Sequence, residues 1–154
     1  MNFRIAEPRD VHAISEVINT AFKKAESFFV DGDRINADEV RALMGTGTLL
    51  LAEDEKGLAG CVYVEHRGER AYLGLLSVYP GRQRAGIGSR LMAAAEEIGR
   101  KAGCRFMDIR VVDLRRELPD YYGRLGYSES GVAPFPSEVP TKLPCHFILM
   151  TKPI

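Results

Sequence analysis

Residues 78–91 read Val-Tyr-Pro-Gly-Arg-Gln-Arg-Ala-Gly-Ile-Gly-Ser-Arg-Leu, and their order suits the capture of an anion. The first backbone N–H groups of a helix lack intrahelical partners, and the helix dipole adds partial positive charge at that end. Phosphate groups fit such a terminus. Gly86 and Gly88 let a phosphate approach the backbone with no Cβ in the way, and they tolerate unusual dihedrals. Arg82, Arg84 and Arg90 would add mobile positive charge at the rim. A Walker-type loop needs a Lys between the last glycine and Ser89, and none stands there. A dinucleotide fingerprint needs a third glycine where the chain has Leu91, although Asp108 lies about 20 residues beyond, as a ribose contact would.

Such a site needs a strand feeding a loop feeding a helix. The apolar run Leu73 to Val78 supplies the strand and Pro80-Gly81 the turn. Ile87, Leu91, Ala94 or Ala95, Ile98 and Ala102 recur at helical spacing. Arg100 and Lys101 favour the helix C-terminus and Gly103 its cap, after which Arg105–Val112 reads as a strand. Upstream, the pattern predicts a strand at Phe3–Ala6, a helix over Pro8–Lys23, a loop to Ile35 and a helix from Asn36 or Ala37 to Met44. Strands at Thr48–Glu53 and Leu58–His66 form one hairpin, and a second turns at Arg67-Gly68 into Ala71–Val78. Downstream come a short helix near Pro119, a strand from Tyr127 and a last strand from His146 to Thr151. The succession is α/β, with antiparallel hairpins and one parallel crossover.

Two segments carry a resemblance. Gln83-Arg84-Ala85-Gly86-Ile87-Gly88 matches the Gln/Arg-x-x-Gly-x-Gly/Ala signature of the GCN5-related N-acetyltransferase (GNAT) superfamily, with Val78, Pro80 and Leu91 also in register. Tyr121-Tyr122-Gly123-Arg124-Leu125-Gly126-Tyr127 resembles that family's Phe-Tyr-x-x-Leu-Gly-Phe segment. The resemblance runs most closely from Leu58 to Tyr127. It implies a single acetyltransferase domain over residues 1–154, built on a mixed, mostly antiparallel sheet flanked by helices, with splayed central strands.

It also implies acetyl-CoA as cosubstrate and no metal. The pyrophosphate would lie on the backbone of Gln83, Arg84, Ala85, Gly86, Ile87, Gly88 and Ser89. The pantetheine arm would pair with Leu76, Ser77 and Val78 as an added strand does. The Val78 backbone N–H would polarise the thioester carbonyl, and Tyr122 would act as general acid and contact the cofactor. The reaction implied is direct attack of a primary amine, from a small molecule or peptide, in a ternary complex. The alternative is an acyl-CoA-binding regulatory or interaction module without turnover. Two positions depart from the family pattern: Tyr72 stands where some members carry a Glu, and Arg115 where an Asn is frequent. Glu65, Asp108 and Asp113 are the nearby carboxylates, and Arg115 or Arg116 is offered as a partner for an acceptor carboxylate. Phe28-Phe29, the Glu117 region and Ala133-Pro134-Phe135-Pro136 are candidate walls of an acceptor pocket.

Composition sets the outer bounds. The chain has 154 residues, 45% of them hydrophobic, which suffices for one real core. Its 21 basic and 21 acidic residues give zero formal net charge, so no broad pull toward nucleic acid or membrane is expected. No apolar run approaches the ~20 residues of a membrane span, and the first residues lack the layout of a signal peptide. Three widely spaced cysteines without a Cys-x-x-Cys are expected as free thiols in a reducing cytoplasm. Whether the chain pairs as a homodimer is left open.

Overall fold

The computed structural model describes residues 1–83 and 85–154. It begins with β1 (Asn2–Ile5), followed by a 3-10 turn at Pro8–Asp10 and then α1 (Val11–Glu26). Pro8 sits at the head of that turn, where a missing N–H costs nothing. A capping box between Glu7 and Asp10 closes it. Val11, Ile14, Val17, Ile18 and Ala21 form the buried stripe of α1. The helix runs three residues beyond the expected Lys23 and ends on Glu26. Asn36 caps α2 (Ala37–Thr46), its side chain accepting from the Glu39 amide.

The two hairpins follow as read from the sequence: β2 (Thr48–Asp54), β3 (Gly57–Arg67) and β4 (Arg70–Val78). After a 3-10 turn at Pro80–Arg82 come α3 (Ile87–Lys101), β5 (Phe106–Val112), α4 (Leu118–Arg124), β6 (Ser128–Pro134) and β7 (His146–Pro153). Gly103, at φ +89°, closes α3 in the left-handed conformation, as a helix C-terminus favours. The seven strands lie in the order β1-β2-β3-β4-β5-β7-β6. All neighbours are antiparallel except β4 and β5.

Each face of the sheet carries its own core. Ile87, Leu91, Met92 and Ala95 of α3 pack on Val62, Leu73 and Met107 on one face. Val11, Ile14, Val17 and Val40 of α1 and α2 pack on Leu49, Leu51 and Cys61 on the other. Fully burying side chains of this size stabilises by roughly 1.5–3 kcal/mol each. Glu96, buried on α3, is satisfied by the Tyr127 hydroxyl at 2.8 Å and by Lys152 Nζ at 2.9 Å.

One irregularity shapes the centre. Cys61 pairs with Ser77 and Tyr63 with Gly74, so Leu75 and Leu76 together oppose the single residue Val62. This is a β-bulge, with Leu75 at φ +55°. The buried Ser77 hydroxyl donates to the Leu75 carbonyl oxygen at 2.9 Å and closes it. β4 parts from β5 before the bulge is reached: among the described residues the two pair only at Arg70–Phe106, Ala71–Met107 and Tyr72–Asp108. From Leu73 onward the facing edge of β4 has no strand partner among the described residues, so the sheet opens into a wedge.

Candidate active site

The wedge holds a cleft of about 800 Å³ that passes from one face of the sheet to the other. On the α3 face it is bounded by Leu76, Val78 and the start of α3, with α4 carrying Tyr121 and Tyr122 across from them. On the α1 face it is bounded by Phe22 and Glu26 of α1, Tyr72, Arg110 and the aromatic rings of Phe135 and Phe147. The loop after α1 and the segment before β7 meet over this second mouth, where the Lys142 amide donates to the Phe29 carbonyl oxygen at 2.7 Å.

The start of α3 is built to receive an anion. Gly86 is its N-cap residue, at φ +74° and ψ +13°, a conformation that a Cβ would strain. Among the described residues no side chain caps this helix, so its first-turn amides stay open. The Ser89 hydroxyl turns back to the Gly86 carbonyl oxygen at 3.1 Å. A Cβ at Gly88 would lie 3.6 Å from Tyr121 Oη and 3.9 Å from Val78 Cγ2, so the bare glycine keeps the seam between them clear. Gln83 Nε2 donates to the Val78 carbonyl oxygen at 3.1 Å, folding the loop against the end of β4.

Of the residues expected to hold the cofactor, Leu76, Val78, Gln83, Gly86, Ile87, Gly88, Ser89 and Tyr122 line the cleft. Ser77 does not; its side chain belongs to the bulge. Ala85 is exposed outside the lining, and Arg84 lies outside the described residues. Two of the expected rim cations are otherwise engaged: Arg82 pairs with Asp54, and Arg90 lies over the Phe3 ring at 4.9 Å. Arg124 of α4 lines the cleft in their place, a cation that the motif itself contains.

Tyr122 is partly buried, with its ring edge-on to Tyr121 and Tyr127 at 5.1 and 6.2 Å between centroids. Burial, with help from Tyr121, pushes its phenol up to about 12. Among the described residues nothing is hydrogen-bonded to its hydroxyl, which is not sealed from the cleft. It is therefore a protonated donor with no partner. Tyr127 is a core residue tied to Glu96, whereas Tyr121 borders the cleft over Gly88.

The expected carboxylates are elsewhere. Glu65 pairs with Arg67 at 2.7 Å, Asp108 with Arg70 at 2.7 Å, and Asp113 accepts from the His146 amide at 2.8 Å. Those of the cleft's second mouth include Glu26 and Glu117, and Arg115 bridges them at 3.2 and 2.7 Å. Arg115 thus meets carboxylates of the chain itself, and Arg116 is exposed outside the cleft. Desolvation raises Glu26 above the usual carboxylate range, with Arg115 opposing. Of the candidate walls, Phe135, Pro136 and Glu117 line the cleft; Phe29 is buried behind Phe135 and Phe28 is half exposed. No group of three or more His, Cys, Asp or Glu residues is placed to hold a metal ion among the described residues.

Open helix-start amides thus lie beside an unpaired strand edge and a phenol donor. The model of the acetyltransferase (GNAT) family matches residues 11–127. The chain belongs to the GNAT acetyltransferase family. It is an acetyl-CoA-dependent enzyme by that membership, and the open amides, the clear glycine seam and the unpaired edge of β4 suit such a ligand. No curated protein sequence matches the chain significantly. Solved structures share its fold at low identity. The ribosomal-protein-S18-alanine N-acetyltransferase from Escherichia coli superposes with a TM-score of 0.77 at 16% identity, over 99% of this chain and 93% of that one. An aminoglycoside 6'-N-acetyltransferase complexed with coenzyme A gives 0.77 at 18%, over 99% and 97%. Nourseothricin acetyltransferase gives 0.75 at 22%, over 99% and 97%. Among the described residues no helix of this GNAT enzyme is long and apolar enough to cross a membrane.

Proposed function

We propose that this enzyme moves the acetyl group of acetyl-CoA to a primary amine by direct attack within a ternary complex, all of it in one domain spanning residues 1–154. The reading places the donor's pyrophosphate on the amides at the start of α3 and its arm along Leu76 to Val78, on the α3 face. The acceptor then enters from the α1 face, because the other mouth is taken. Two of the fold relatives bear names that specify transfer to nitrogen, which supports an amine acceptor.

The observation that carries the reading is the unpartnered Tyr122 phenol in the wedge. An acceptor ammonium must shed two protons in becoming an amide, and the departing thiolate must gain one. Glu26, raised by burial, takes the first proton and passes it to solvent. The Val78 backbone N–H polarises the thioester carbonyl as the C–N bond forms. Tyr122 donates a proton to the sulfur as the C–S bond breaks, and the amine's second proton restores the phenol. Thiol release with acetyl-CoA and a panel of amines tests this. Turnover that falls about 100-fold in Tyr122→Phe supports it; full activity in that variant removes Tyr122 from the chemistry.

A further inference from the structure

We infer that Arg110 anchors a carboxylate on the acceptor, so that the substrates are small primary amines that also carry a carboxylate, with an apolar or aromatic body. The inference rests on the acetyl-transfer reading above and narrows its acceptor.

Arg110 lies on β5 two residues past the last β4–β5 pair, where the wedge begins, and it lines the cleft. The alternation of β5 buries Ile109 and Val111 in the core under α3, which puts Arg110 on the α1 face, the side left for the acceptor. Its side chain is exposed, and its guanidinium lies 4.9 Å from the centroid of Phe147 and 5.2 Å from that of Tyr72. Arg110 Nε and Nη2 donate to Tyr72 Oη at 3.2 and 3.0 Å. A guanidinium has five N–H donors, so three remain. The Tyr72 oxygen accepts on both lone pairs, which leaves its own O–H to donate.

What the cluster lacks is an acid. Among the described residues no carboxylate pairs with Arg110; Glu65, across from Tyr72, is taken by Arg67. Arg115 and Lys23 of the same cleft are matched to Glu26 and Asp33, while Arg34, over the Phe22 ring, is a second cation of this mouth without an acid among the described residues. A cation beside two rings, with part of its fork and a neighbouring hydroxyl left as donors, is matched in shape and charge to a carboxylate. The donor does not supply one there, since its phosphates belong at the start of α3 on the opposite face and its arm is uncharged. Gly74 belongs to the same device. A Cβ at that position would come within 2.9 Å of Tyr72 Oη, so glycine lets the tyrosine fold back to where Arg110 reaches it. Phe22, Phe135 and Val139 surround the same mouth and suit an apolar body.

The test compares L-phenylalanine, L-phenylalaninamide and phenethylamine as acceptors in thiol release, with calorimetry of L-phenylalanine on the enzyme loaded with coenzyme A. The free acid is expected to exceed the other two in kcat/KM by about 10- to 100-fold. Arg110→Gln should erase that preference through KM while leaving kcat and the acetyl-CoA KM in place. Arg110→Lys should restore part of it, and Gly74→Ala should weaken it by displacing Tyr72. Equal kcat/KM for the three amines, or an equal loss for all three in Arg110→Gln, overturns the proposal. Thiol release with none of them counts against acetyl transfer to this class. Calorimetry then decides the carboxylate site separately: heat present in the wild type and lost in Arg110→Gln upholds it, and heat absent from the wild type or unchanged in the variant overturns it.

Discussion

In the proposed reaction two residues divide the proton traffic, and each has its own signature. Tyr122 keeps its proton at neutral pH because burial pushes the phenol up to about 12. Removing the hydroxyl should lower kcat while the acetyl-CoA KM stays, as steady-state kinetics would read. Glu26 must be ionised to accept a proton, and burial raises it above the usual range. Activity should therefore fall as pH drops through that raised value, and kcat/KM against pH should show an acid limb displaced upward from that of an ordinary carboxylate. Glu26→Gln should abolish that limb and lower kcat/KM by about 100-fold. An unchanged acid limb would assign it to another group. Glu26 was not legible in the sequence as part of the site. It is one acidic residue at the end of an amphipathic helix, and only the extension of α1 past Lys23 carries it to the wedge. Tyr122 was legible because its neighbours Leu125, Gly126 and Tyr127 form a local pattern in a single segment.

At the scale of elements, the strand–loop–helix at β4 and α3 followed directly from local chemistry: period two, a Pro/Gly turn, glycines and then period 3.6. The bulge did not. Leu75 adopts a positive φ without being glycine, and nothing in its residue type announces that. Its cause is the register against β3, a relation between segments more than ten residues apart. The same applies to Tyr72 and Arg110, which meet only because β4 and β5 are parallel neighbours. The helix start makes a prediction that separates binding from stability. Gly88→Ala replaces a poor helix former in the first turn of α3 with a good one, worth up to ~1 kcal/mol. The added methyl sits between Val78 and Tyr121 at ordinary contact distances. Thermal unfolding should be unchanged or shifted upward, while the acetyl-CoA KM rises at least about tenfold. An unaltered KM would move the phosphate site off these amides.

The whole molecule was legible as an α/β succession of strands and helices, and the residue ends of nearly every element moved by three positions or fewer. Its strand order was not, because β7 inserts between β5 and β6 and so brings Phe147 beside Arg110. That order makes the sheet two blocks, β1 to β4 and β5 with β7 and β6, each internally antiparallel. Among the described residues, three residue pairs of the ladder run between them and nothing more. The line of fewest ladder pairs thus coincides with the line along which the reaction is proposed to occur. A ligand that hydrogen-bonds the free edge of β4 and touches α4 bridges the blocks like a splint. Bound acetyl-CoA should slow amide hydrogen exchange in residues 73–78 and 109–112 together, and at 100 times its Kd should stabilise the fold by ~2.7 kcal/mol. Protection confined to the loop at Gln83–Ser89 would show that the blocks are not coupled through it. If they are, each turnover loosens the enzyme along its own seam as the ligand departs.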